Sequence, residues 1–298
     1  MDADEGAGLY VDNGGEVFVD GGANRVIFDG NVANNGGAIY VNGASSFVFL
    51  QNTHINAPQA DQGAAIFANG GGTSSPQLIM DQTTDCNLLF RCSEIQGAKY
   101  ERSVVEVNNS MVQLQRTVIE QSVYTEPTTV AIGLITTNAG SVVRLNRVGM
   151  IRNSGNAMLR SDNNNDEFTV SHLTMAANTL PNSSTDSYLS VMLAGSLEIQ
   201  NSLVADSSGI DNRTGGVADI TGQCNLIDDD HDWPSGIYHL GTPQLVNAAG
   251  GDARQSSDSD GVDMCLQDTF SWSSEVDIEN QDAPVNENTN PQGMPGQA

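Results

Sequence analysis

The chain has 298 residues and a formal net charge of −26, from 37 acids against 11 bases. A field of that sign repels phosphate, which excludes a nucleic-acid binder and a protein of anionic membrane surfaces. Apolar residues make up 38% and aromatics 5%, yet short Val/Ile/Leu/Phe runs recur throughout. Many short strands between polar turns are therefore expected rather than disorder.

In chain order, the first phrase is Gly6-Ala7-Gly8-Leu9-Tyr10-Val11. It returns as Gly36-Gly37-Ala38-Ile39-Tyr40-Val41 and Gly63-Ala64-Ala65-Ile66-Phe67-Ala68. The steps are 36 − 6 = 30 and 63 − 36 = 27 residues, a period that marks one unit stacked on its copies. A second phrase alternates with it: a β run, a polar step, then a short apolar run. Copies are Val26-Ile27-Phe28-Asp29-Gly30-Asn31, Phe47-Val48-Phe49-Leu50-Gln51-Asn52, and the segments beginning at Val112, Val142, Phe168 and Leu197. Taking Leu114, Leu145, Val170 and Ile199 as equivalent gives 145 − 114 = 31, 170 − 145 = 25 and 199 − 170 = 29 residues.

No two-residue hairpin turn links these runs and no useful amphipathic helix appears. Each strand must then pair in parallel with its equivalent one coil later. The prediction is an all-β, single-stranded right-handed parallel β-helix of roughly eight to ten coils, a rod roughly 40–50 Å long. Asn31, Asn52 and Asn201 suit its turns, because Asn tolerates left-handed backbone. Coils are expected over 1–205, terminal coils with long loops and a C-terminal cap over 206–285, and a loosely ordered tail over 286–298. No stretch is long and apolar enough to span a bilayer, and no signal peptide is visible at Met1-Asp2-Ala3-Asp4-Glu5. An exported piece with its signal removed is expected, secreted or on the cell surface.

Gly36-Gly37-Ala38-Ile39 with Phe28-x-x-Asn31, and Gly63-Ala64-Ala65-Ile66 with Phe49-x-x-Asn52, are similar to the GGA(I/L) and FxxN repeats of polymorphic outer-membrane-protein adhesins. Gly222-Gln223-Cys224-Asn225-Leu226-Ile227 and Asp277-Ile278-Glu279-Asn280-Gln281-Asp282-Ala283-Pro284 resemble bacterial secreted β-helix proteins with a C-terminal surface anchor. The resemblance implies the β-helix fold, export and a surface role, and no particular reaction.

Many parallel β-helices are polysaccharide lyases or hydrolases, and the lyases commonly use a Lys or Arg base beside calcium. The basic candidates are Lys99, the only lysine, and Arg116, Arg144 and Arg147, which could form a row on one face. The competing role is neutralisation of an acidic surface. For calcium, Asp258-x-Asp260-Gly261-x-Asp263 places oxygen ligands at alternate positions around a Gly turn, and Asp162 with Asp166 is a second candidate. His231, Trp233 and Tyr238 mix aromatic and polar groups and could contact glycan. The four cysteines suggest disulfides Cys86–Cys92 and Cys224–Cys265. The leading expectation is a non-catalytic extracellular or cell-surface module for adhesion or glycan contact, whose partner is a polysaccharide or another surface protein. The alternatives are a polysaccharide lyase or hydrolase acting on an acidic glycan, and a purely structural fragment of a larger surface protein.

Overall fold

The computed structural model describes residues 2–22, 24–70, 76–82, 93–125, 133–155, 157–179, 189–205, 210–212, 219–228, 233–241, 243, 245–247 and 252–255. Among them there is no helix, and the strands of the coil body stack in parallel. The molecule is a parallel β-helix.

Three walls run along the rod. The narrow wall contains Asp2–Glu5, Val32–Asn35, Gln59–Ala60, Lys99–Tyr100 and Val123–Tyr124. The middle wall has eight strands: Leu9–Val11, Ile39–Asn42, Ile66–Asn69, Val105–Asn108, Gly133–Asn138, Ala157–Ser161, Leu189–Leu193 and Ile210–Asn212. The third wall is bent into two legs. Its first leg begins Glu16–Asp20, Phe47–Gln51, Gln77–Asp81, and its second leg begins Val26–Asp29, Thr53–Asn56, Ser93–Gln96. Met111–Glu120, Val142–Ile151 and Glu167–Ala176 pass through both legs as single strands.

All but one of the equivalences expected from sequence hold residue for residue. Leu114, Leu145, Val170 and Ile199 are successive rungs of one row. The glycine phrases stack as Leu9, Ile39, Ile66 and as Tyr10, Tyr40, Phe67. One equivalence fails. Phe28 stacks with Ile55 on the second leg, whereas Phe49 stacks with Phe18 on the first. The two FxxN phrases therefore sit on different legs, because both legs use strands of the same apolar–polar alternation.

Coil length varies while register holds. The middle-wall rungs Ile39, Ile66, Val105, Ile135, Leu159 and Val191 are spaced by 27, 39, 30, 24 and 32 residues. A one-residue slip would turn every inward side chain outward, so connections absorb the difference. The inward rows, such as Val48, Leu78, Val112, Val143, Phe168 and Leu197, are fully buried and form one continuous core.

Single left-handed residues make the corners. Between the legs they are Asn52, Arg116, Arg147, His172, Asn201 and Cys224, with φ from 44° to 60°. After the second leg they are Gly30, Ala57, Gly97, Gln121, Arg152 and Ala177. Asn52 and Asn201 fill the turn role expected of them. Asparagine also stitches the outside of the middle wall. Asn108 Nδ2 donates to Asn69 Oδ1 at 3.0 Å, Asn69 Nδ2 to Asn42 Oδ1 at 3.0 Å, and Asn42 Nδ2 to Asp12 Oδ1 at 3.1 Å. Parallel stacking continues through Asn225–Ile227 to Tyr238–Leu240, and an antiparallel pair, Leu245–Asn247 with Asp252–Gln255, follows.

Candidate functional site

Two outward faces concentrate chemistry, and both belong to the bent wall. On the second leg each strand points two side chains outward. Register places His54, Glu94 and Val118 in one row and Asn56, Gln96 and Glu120 in the next. Arg25, a coil before His54, reaches past it to donate from Nη1 to Glu94 Oε2 at 2.9 Å. His54 Nε2 lies 3.7 Å from the same oxygen. Glu120 accepts from Gln96 Nε2 at 2.7 Å and from Arg152 Nη2 at 2.6 Å. Two carboxyl groups on adjacent strands are thus each held by an arginine from opposite ends of the cluster.

Burial pushes the Glu94 carboxyl above its ordinary range. Arg25 works against this and the Glu120 charge adds to it. Burial, with Arg25, pulls His54 down, so its neutral form is favoured. Two carboxyl groups on adjacent strands, one of them raised by burial, are the elements of an acid–base pair.

The first leg presents a different face. Its outward rows run Glu16, Phe47, Gln77, Met111, Val142; then Phe18, Phe49, Ile79, Gln113, Arg144; then Asp20, Gln51, Asp81, Gln115, Asn146. Phe18 is 68% exposed. Its ring centroid lies 5.5 Å from that of Phe47 and 6.4 Å from that of Phe49, both tilted to it. The rungs from Phe47 through Gln115 carry one charge, Asp81, and Arg116 grips it with Nε at 3.2 Å and Nη2 at 2.9 and 3.0 Å. The result is a neutral strip of aromatic, aliphatic and amide groups.

The basic residues singled out from sequence do not form one row. Arg116 and Arg147 share the corner between the legs, while Arg144 sits on the outward row of Gln113, three residues earlier. The corner residues are fixed by backbone shape, and Arg116 is committed to Asp81. Lys99 is exposed on the narrow wall, between Gln59 and Val123.

Asp166 is 1% exposed and organises a turn. Its Oδ1 accepts from the amides of Gly140 and Ser141, both at 2.9 Å, and its Oδ2 from Thr137 Oγ1 at 3.0 Å, Asn163 N at 3.1 Å and Ser161 Oγ at 3.2 Å. These donors engage both oxygens, so the Asp166 carboxylate serves as the acceptor at the centre of the turn. Asp162 pairs with Arg160 at 2.8 Å. Among the described residues no three His, Cys, Asp or Glu side chains converge as a metal site. Asp258, Asp260 and Asp263 lie outside the described residues.

Trp233 is 5% exposed and belongs to the core, with Tyr238 packed partly buried against it. The Trp233 side chain is thus packed with the apolar rungs rather than displayed on the surface; His231 lies outside the described residues. Cys224 is not a free thiol. Both expected pairings involve Cys86, Cys92 or Cys265, which also lie outside the described residues.

Sequence reasoning did not bring Arg25, His54, Glu94 and Glu120 together. These residues come from separate coils, and no short spacing unites them. The register of the second leg, once known, would have placed Glu94 beside His54 and Glu120. Comparison of the chain with protein-family models, curated proteins and solved structures finds no match.

Proposed function

We propose that this chain is a non-catalytic β-helical module, secreted or on the cell surface, that contacts glycan through the outer face of the first leg. The observation that carries this reading is the neutral strip Phe47, Phe49, Ile79, Met111, Gln113 and Gln115 on a chain of net charge −26. Ring faces pack against the C–H faces of sugars, and amides both donate to and accept from hydroxyl groups. The GGAI-type phrases point the same way, since they resemble repeats of surface adhesins. Affinity electrophoresis through gels containing soluble polysaccharides tests it: retardation without new reducing ends or unsaturated uronates is expected. No retardation by any polysaccharide sinks the reading.

A second reading, a hydrolase or lyase acting on polysaccharide, is favoured by one observation, the Glu94–Glu120 pair beside Arg25. Turnover that is lost in both Glu94→Gln and Glu120→Gln would replace the binding reading with this one.

A further inference from the structure

From the charge and size of the first-leg face we infer that its ligand is an uncharged glycan chain, recognised by Phe18, Phe47 and Phe49 together with the amides of Gln77, Gln113 and Gln115. This inference rests on the glycan-contact reading above and names the class of ligand.

Three observations carry it. The first is charge. Across three consecutive coils the outward residues are Phe47, Phe49, Gln51, then Gln77, Ile79, Asp81, then Met111, Gln113, Gln115. The lone carboxylate, Asp81, is neutralised by two-pronged contact with Arg116. Charge returns only at the borders, with Glu16 and Asp20 on one side and Arg144 on the other. An anionic polymer approaching this strip would meet the field of the whole acidic chain and no cation on the strip to offset it. A cationic peptide would be drawn instead to the acidic surface elsewhere.

The second is chemistry. Phe18, exposed beyond its neighbours, leans on Phe47 and Phe49 to make a shallow three-ring surface. Beside it glutamines lie among apolar side chains, Gln77 next to Ile79 on one rung and Gln113 and Gln115 next to Met111 on the following one. Apolar contact beside groups that both donate and accept matches a sugar chain, whose hydroxyl rims surround apolar ring faces.

The third is size. A five-residue strand spans about 13 Å and three rungs about 10 Å, so the neutral strip covers roughly 130 Å², with the Phe18 ring at its border. A stable protein partner buries about 800 Å² on each side, and would have to spread onto the charged surface around the strip. A short stretch of glycan fits the strip without leaving it.

The test is affinity electrophoresis against neutral polymers (hydroxyethyl cellulose, galactomannan, laminarin) and anionic ones (alginate, polygalacturonate), at low and high sodium chloride. Retardation by at least one neutral polymer is expected, and it should persist in high salt, because uncharged contacts are not screened. Phe49→Ala and Gln113→Ala should each weaken it about tenfold, the equivalent of one good contact. Glu198→Ala, on the same leg beyond the strip, should leave it unchanged. Circular dichroism checks the fold of each variant; Gln113→Ala removes only a half-exposed amide and keeps the test open if Phe49→Ala unfolds. Retardation by anionic polymers alone, or by neutral polymers in a manner indifferent to both variants, overturns this inference but leaves the glycan-contact reading standing. Failure of every polymer to bind removes both. Self-association in sedimentation that Phe49→Ala abolishes, with no polysaccharide bound, assigns the face to a second copy of the chain and also overturns it.

Discussion

Asp166 shows how much one side chain can carry in a stacked fold. Its carboxylate ties the Gly140-Ser141 amides and Thr137 of one coil to Asn163 and Ser161 of the next. Removing it leaves buried donors without an acceptor, and hydrogen bonds to a charged group are worth about 1.5–3 kcal/mol each, non-additively. Asp166→Ala should lower stability by about 3–5 kcal/mol, read as a fall in the denaturant midpoint with an unchanged slope. The corner residue Ala57 offers the opposite case. Its φ is 46°, a region that costs an L-residue about 1–2 kcal/mol, and the next rung of the same corner is Gly97. Ala57→Gly should raise stability by about 0.5 kcal/mol, because the relief outweighs the added freedom of the unfolded chain. Thermal unfolding of the pair of proteins checks it. Neither role was legible in sequence. The run Asp162-Asn163-Asn164-Asn165-Asp166 reads equally as a cation loop, since Gly140, Ser141 and Thr137, which donate to Asp166, lie 26, 25 and 29 positions earlier.

At the scale of the element, the second leg is joined from coil to coil by charge as well as by its ladder. Arg25, His54, Glu94, Glu120 and Arg152 form a chain across it, with Asp29 at the border held to Asn56 at 2.6 Å. Folding raises the affinity of Glu94 for its proton. The contribution to stability is therefore fully present below the ordinary carboxylate value and is lost as pH rises through the raised one. Glu106 behaves alike: it is 3% exposed, accepts from Ser103 Oγ at 2.9 Å, and burial pushes it up against the pull of Arg102. Through these two carboxyls stability should fall as pH rises above the ordinary carboxylate range, with a slope of at most about 1.4 kcal/mol per pH unit for each proton released, while His54, held low by burial, contributes in the opposite sense. Glu94→Gln should flatten that fall, as measured by denaturant unfolding at a series of pH values. A profile identical to that of the parent chain would show that Glu94 titrates normally.

For the whole molecule the largest electrostatic effect is self-repulsion at a net charge of −26. Among the described residues, ion pairs such as Arg116–Asp81 and Arg152–Glu120 are few against that excess. Raising sodium chloride from about 0.01 M to about 0.5 M shortens the screening length from about 30 Å to below 8 Å. The unfolding temperature should rise across that range, since repulsion acts over many long distances and the pairs over short, partly buried ones. A fall would mean that the surface ion pairs outweigh the excess charge.

The fold was readable from the chain itself because a β-helix repeats its local pattern. Leu114, Leu145, Val170 and Ile199 could be aligned by eye, and they are stacked rungs. A strand that alternates apolar and polar residues declares which side faces inward, and a period near 30 residues declares what it stacks on. Two things escaped. Phe28 and Phe49 look like copies and lie on different legs, since alternation says which side is buried but not which wall is being built. The acid–base cluster of the second leg and the neutral strip of the first also escaped, since each joins residues from several coils whose spacing varies from 24 to 39. Sequence alone determined the rod, its inward rows and its turns, because those depend on neighbours along the chain and on a regular repeat. Tertiary structure alone decided which outward side chains meet, because the connections between strands differ in length and only the hydrogen-bonded register cancels that difference.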